Sequence, residues 1–301
     1  MKPNNLLWQA IEGQLVDQDL ITDPLQLEGA VAGGDINRSF SARSGQQRFF
    51  IKVNRGVPPT FFSAEAEGLR EIAGVKAIRC PVPLAAGDWE DWQYLVQEFL
   101  PLSANGDQFL LGQQLATLHR SSGVRSDPHP YGFSADNFIG STPQYNRNAS
   151  NWEAFWWKRR LQPQLELACQ NGFSLLKKFT PQLSAASSRY LQNHHPEPCL
   201  LHGDLWSGNM GFCGDEPVIF DPASYYGDRE TDLAMTELFG GFSSHFYDGY
   251  RSIWPVDDGY RRRRPLYNLY HQLNHLNLFG SSYLGSCKHT IEGLINTRQA
   301  G

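Results

Sequence analysis

Apolar positions along the 301-residue chain change period several times, and each change predicts an element. Leu7, Ile11 and Leu15 recur at helical spacing near the start. Across residues 47–53 the pattern alternates, which predicts a strand. Phe49, Ile51 and Val53 then point one way, and Phe50 and Lys52 the other. Pro58-Pro59 interrupts the chain before a helix expected over about 61–73. A strand over 93–99 stops at Pro101, and Ser103-Ala104-Asn105-Gly106 reads as a loop. Beyond it helices dominate. Asp107 is placed to cap a helix striped by Leu111, Leu115 and Leu118, and further helices are expected over 151–170, from near Pro181, and across 266–278. Short strands are expected at 199–202, 209–213 and 218–220. The pattern predicts an α+β chain of two lobes: a small β-rich lobe over residues 1–101 and a larger, mainly helical one over 102–301.

Composition narrows the functional classes. With 41% hydrophobic, 19% charged and 13% aromatic residues the chain is globular, which excludes disorder and collagen-like fibre. Lys+Arg 26 against Asp+Glu 31 leaves a net charge of -5, so no chain-wide basic field invites nucleic acid. No apolar run is long enough to span a bilayer, and a soluble, cytoplasmic protein without membrane association is expected. Cys80, Cys169, Cys199, Cys213 and Cys287 are odd in number, widely spaced and without a CxxC pair, which favours reduced thiols over a disulfide framework or zinc site.

Chemistry concentrates in His202-Gly203-Asp204-Leu205-Trp206-Ser207-Gly208-Asn209, followed by Val218-Ile219-Phe220-Asp221. Phosphoryl transfer to an alcohol needs a carboxylate to accept the proton and oxygen ligands for a metal that neutralises phosphate charge. In a kinase catalytic loop the base Asp precedes a metal-binding Asn by five positions, the separation of Asp204 and Asn209. A second metal-binding Asp belongs at the end of a nearby strand, where Asp221 stands.

These residues resemble the fructosamine kinase family, within the protein-kinase-like and aminoglycoside phosphotransferase group. The 202–209 segment is similar to that family's catalytic loop, and Asp221-Pro222-Ala223-Ser224-Tyr225-Tyr226-Gly227-Asp228-Arg229-Glu230 with Asp232-Leu233-Ala234-Met235 to its next block. The resemblance extends to Tyr131-Gly132-Phe133, residues 136–144, Arg160-Leu161-Gln162-Pro163-Gln164-Leu165 and Asn274-His275-Leu276-Asn277-Leu278-Phe279-Gly280. It implies a two-lobed protein-kinase-like fold that uses ATP and Mg2+. The implied acceptor is a ketosamine, free or protein-bound, phosphorylated at its third carbon in deglycation repair.

The first hundred residues supply the complementary parts. Gly33-Gly34-Asp35 lies between expected strands, where glycines let backbone amides approach phosphate oxygens, and the family places its nucleotide loop there. Many eukaryotic relatives carry a cysteine near the position of Asp35, which this chain lacks. Lys52 is the candidate phosphate-placing lysine. Of two possible partners, Glu65 shares a helical face with Phe61, Leu69 and Ile72, whereas Glu67 lies with Glu71; the inward carboxylate, Glu65, is expected to pair with Lys52. Gln97-Glu98-Phe99 fits a hinge that holds adenine through backbone groups. Asp232 resembles the helix carboxylate that braces the catalytic loop.

Other features compete for attention. His271-Gln272-Leu273-Asn274-His275 has zinc-protease histidine spacing, but Gln272 replaces the general base. Arg261-Arg262-Arg263-Arg264 reads as a solvated charge run, and Trp152, Phe155 and Trp156 as core, with a pocket wall the other reading. Trp206, two residues after the base, is placed to shape the acceptor pocket, and His275 is taken as a second substrate-binding residue. Two alternatives keep the fold: a phosphotransferase for an aminoglycoside or amino alcohol, and a non-catalytic nucleotide-binding protein.

Overall fold

The computed structural model describes residues 3–31, 36–123 and 128–297. Helix α1 (Asn5–Asp17) leads into β1 (Gln26–Val31), β2 (Arg38–Ser44), β3 (Gln47–Arg55), α2 (Phe61–Val75), β4 (Pro83–Trp89) and β5 (Trp92–Glu98). These strands form one antiparallel sheet in the order β1-β2-β3-β5-β4, which puts the apolar β3 and β5 inside. Strand alternation then assigns each face. Phe49, Ile51, Val53, Tyr94 and Val96 form one core with Leu7, Ile11 and Leu15 of α1. Each such burial contributes about 1.5–3 kcal/mol, which holds a helix too short to persist alone. Leu95 faces the other way, into a cluster with Phe61, Phe62 and Ala66 of α2. Lys52, opposite Leu95 in the register, is buried on that side.

The chain then turns helical. Asp107 caps α3 (Gln108–Ser122), its carboxylate accepting from Leu110 N at 3.0 Å. A hairpin of β6 (Asn137–Ile139) and β7 (Thr142–Gln144) precedes α4 (Trp152–Trp156), a π-helical turn (Trp157–Leu161) and α5 (Gln162–Gln170). The helix expected over 151–170 is thus helical throughout but widened at its centre, and Arg160 on the wide turn is fully buried. Next come α6 (Thr180–Leu191), β8 (Cys199–Leu201), β9 (Met210–Cys213), β10 (Glu216–Ile219), β11 (Tyr225–Gly227), α7 (Glu230–Leu238), α8 (Ser244–Ile253), α9 (Tyr260–Phe279) and α10 (Leu284–Asn296). Trp152, Phe155 and Trp156 are buried in this region's core. Among the described residues no helix is long and apolar enough to cross a membrane.

The reading of Arg261–Arg264 as a solvated run needs correction. Arg261 and Arg262 are exposed, but Arg263 is buried. Its guanidinium donates to both oxygens of buried Glu230, each at 2.7 Å, and to Asp257. Helical rotation turns one residue of the run inward, where a carboxylate waits on α7.

Candidate active site

Two structural regions meet at Asp221. From the sheet, Lys52 Nζ donates to Glu65 Oε1 at 2.5 Å and to Asp221 Oδ1. Gln97 Nε2 also donates to Glu65 Oε1, at 3.2 Å, so a neutral amide fixes the carboxylate that fixes the lysine. Burial opposes the Lys52 charge, but Asp221 and Glu65 outweigh it and raise the ammonium above its ordinary range. Glu67 instead accepts from Ser134 on the surface. Glu98 pairs with Arg79 at 2.8 Å, and its backbone N–H is taken by Val82 O. Phe99 lies beneath the Arg48 guanidinium at 3.7 Å. Gly33 and Gly34 lie outside the described residues.

The helical region contributes a tightly held loop. Asp232 on α7 accepts from the backbone N–H of His202 at 2.7 Å and of Gly203 at 2.8 Å, and from His119 Nε2 at 3.2 Å. Burial works to raise its carboxyl, and the His119 and backbone hydrogen bonds overcome it, holding Asp232 below its ordinary value. Gly203 has φ +83° and lies so close to Ala223 O that a Cβ would collide with it. His202 Nε2 donates to Phe220 O at 2.9 Å, and Ala223 N to His202 O at 2.8 Å. These bonds lock the Asp204 loop to the Asp221 segment, and Asp221 itself adopts a left-handed backbone, φ +58°.

Asp204 is therefore presented by backbone constraints on both sides. Burial first, then the carboxylates of Asp221 and Asp232, push it up to about 7. Asn209 Nδ2 donates to Asp204 O at 2.9 Å, which leaves the amide oxygen as the ligand-forming end. That oxygen and the Asp221 carboxylate are hard donors of the kind Mg2+ prefers, so the residues present fit the ion. Trp206 is 40% exposed and folds over Gly208, where any Cβ would strike its ring. The Trp-Ser-Gly triplet is thus one steric unit beside Asp204, and a core role for the indole is excluded. His275 is half-buried, its ring against Phe239 at 4.7 Å, Tyr283 at 5.2 Å and Phe279 at 5.4 Å, and its Nδ1 donates to His271 O.

A polar scaffold behind the site escaped residue-level reading. Asn137 Nδ2 donates to Ser224 O at 2.7 Å and Gln144 Nε2 to Ala223 O at 3.0 Å. Tyr270 donates to Gln144 Oε1 at 2.7 Å, and Arg160 stacks on Tyr225 at 3.9 Å while donating to Tyr145 O and Asn146 Oδ1. Amides at 137 and 144 on two short strands, with a third at 146 just beyond them, were the available signal, but amides in a hairpin look the same whether exposed or buried.

Similar proteins agree with this architecture. The sequence profile described as "Fructosamine kinase" matches residues 7–297. The chain is 40% identical over 293 residues to a Vibrio parahaemolyticus protein named "probable ketoamine kinase", covering 96% of this chain and 100% of that one. It is 39% identical over 284 residues to the chloroplastic protein-ribulosamine 3-kinase of Arabidopsis thaliana, covering 90% of this chain and 83% of that one. A crystal structure of a Haemophilus somnus protein assigned as a fructosamine-3-kinase superposes with a TM-score of 0.85 at 27% identity, covering 95% of this chain and 97% of that chain. Aminoglycoside phosphotransferase APH(4)-Ia, solved with ADP and hygromycin B, shares the fold: TM-score 0.55, 16% identity, 97% of this chain and 99% of that one covered.

Proposed function

Because the chain belongs to the fructosamine kinase family, we propose that it transfers the γ-phosphoryl group of ATP to a sugar hydroxyl of a ketosamine. The observation that carries this reading is the convergence of Lys52, Glu65, Asp204 and Asn209, from two regions of the chain, around Asp221. A binding module has no use for a buried carboxylate set beside a lysine-paired aspartate and a metal-ligand amide. In this reading the region over residues 1–101, with the glycine loop at Gly33-Gly34, holds the nucleotide, and 102–301 holds the acceptor. Backbone groups around Gln97, Glu98 and Phe99 take the adenine edge; the Glu98 N–H is already spent on Val82.

Asp204 orients the acceptor hydroxyl and takes its proton as the hydroxyl oxygen bonds to the γ-phosphorus. The bond from that phosphorus to the β–γ bridging oxygen breaks, and ADP leaves. Lys52, fixed by Glu65, positions the phosphates. Asn209 and Asp221 would hold Mg2+, which supplies charge neutralisation on the phosphate oxygens. Trp206 and His275 flank the acceptor. Phosphate on the third carbon of a ketosamine is a good leaving group. Once the C2 ketone enolises towards C1, the nitrogen electron pair of the enaminol expels inorganic phosphate from C3. Water then hydrolyses the C1 imine left behind, releasing the amine and a 3-deoxy dicarbonyl sugar. This is the chemistry of deglycation.

The test is incubation of the protein with Mg-ATP and a ribulosyl- or fructosyl-lysine, followed by mass spectrometry. A phosphorylated adduct followed by free lysine is expected. Asp204→Asn should bind ATP normally yet lose about 10²–10⁴-fold in kcat. Phosphorylation of an aminoglycoside or amino alcohol but of no ketosamine would refute the acceptor; near-normal turnover by Asp204→Asn would refute the base.

A further inference from the structure

Helix α9 turns a second titratable side chain towards Asp204. His271 is 3% exposed, and its Nδ1 is buried without a hydrogen-bond partner. That nitrogen lies 3.9 Å from Asp204 Oδ1. Buried polar atoms are almost always hydrogen-bonded, so an orphan aimed at a reacting group calls for a reason. The separation exceeds hydrogen-bond range by less than about 1 Å, and contacts of this kind tighten when substrate is bound.

We propose that His271 is a positioning residue for phosphoryl transfer: its Nδ1–H hydrogen-bonds Asp204 Oδ1 once the acceptor is seated, and so directs the other carboxylate oxygen at the acceptor hydroxyl. The inference rests on the reading of Asp204 as the base. The neighbourhood is built for a neutral donor. Burial, then His275 one helical turn away and Arg160 on the π-helical turn, oppose a charge on the ring. Asp232 on α7 favours one and is outweighed, so the imidazole is held down at about 3. A neutral N–H orients a carboxylate without adding a cation, and an added cation would weaken the base. The ring is kept in place from the side: Tyr270 packs against it edge-on at 5.2 Å and is tied by its hydroxyl to Gln144. The helix and this ring contact restrict the rotamer.

Side-chain amides separate positioning from packing. Asn Nδ2 falls where imidazole Nδ1 stood, so His271→Asn keeps the donor, whereas His271→Leu removes it at similar volume. With full-length protein, Mg-ATP and a fructosyl- or ribulosyl-lysine, His271→Leu should lower kcat by about 10–100-fold. KM for ATP and for the ketosamine should stay within about two-fold, and His271→Asn should recover most of the lost kcat. Wild-type kcat in His271→Leu, or an Asn variant as impaired as Leu, would overturn the proposal. Should thermal melting show the Leu variant unfolded, His271→Gln replaces it, since its amide reaches the Nε2 position. Gln must then be slower than Asn, and equal rates refute the inference. A wild-type protein that phosphorylates no ketosamine refutes the acceptor alone; the same kcat ratios, read on the alcohol it does turn over, still decide His271.

Discussion

His271 also links a single imidazole to the stability of the whole chain. An unfolded histidine titrates near 6.5, whereas burial, His275 and Arg160 hold this one at about 3. With the folded value below the unfolded one, the unfolded state takes up the proton first. The contribution is therefore fully present above pH 6.5 and is lost as pH falls from there towards 3. Each pH unit in that window removes up to about 1.4 kcal/mol. Asp204 is raised to about 7 by burial and its neighbouring carboxylates, so it has the opposite slope between its ordinary range and 7. The useful quantity is consequently a difference. Urea midpoints of wild type and His271→Asn, measured from pH 7 to pH 5, should diverge, with the variant losing less stability on acidification. Parallel curves would show that His271 carries no linkage.

At the scale of elements, α7 does two jobs from opposite sides. Asp232 holds the backbone of the catalytic loop, and Glu230 receives the Arg263 guanidinium from α9 through two bonds of 2.7 Å. Removing one partner of a buried pair strands the other charge, a loss of about 3–5 kcal/mol. Arg263→Ala should therefore lower urea stability by that amount, while Arg261→Ala, on the exposed side of the same run, should stay within about 0.5 kcal/mol. A mild Arg263→Ala would mean that Glu230 finds another donor. The run of four arginines gave no hint of which one turns inward; the phase of α9 relative to α7 decides it. The Lys52–Glu65 pair was legible because both elements have short, regular periods: strand alternation aims Lys52, and a shared helical face aims Glu65.

Across the whole molecule, the sheet and the helical region are not separable. Leu69, Ile72, Ile78 and Cys80 come from the first hundred residues yet join the large core of the helical region. Arg79 O accepts from Ile219 N at 3.0 Å, and Tyr226 donates to Glu71. A cut at residue 101 would expose the α2 side of that core. The full chain should accordingly unfold in one transition, with circular dichroism and tryptophan fluorescence giving the same urea midpoint. Two separated midpoints would show that the regions fold independently.

What the sequence determined by itself is local or nearly so. Helix and strand periods, the Asp107 cap, the spacing of Asp204, Asn209 and Asp221, and the inward choice of Glu65 over Glu67 all follow from repeats of two or 3.6 residues and from short motifs. Only the tertiary structure placed His271 opposite Asp204, His119 beneath Asp232, Arg263 against Glu230, and the amides of Asn137 and Gln144 behind the Asp221 segment. These pairs are separated by 33 to 113 residues. Each depends on how rigid elements rotate and pack, and a one-dimensional period contains no term for the rotation of one element relative to another.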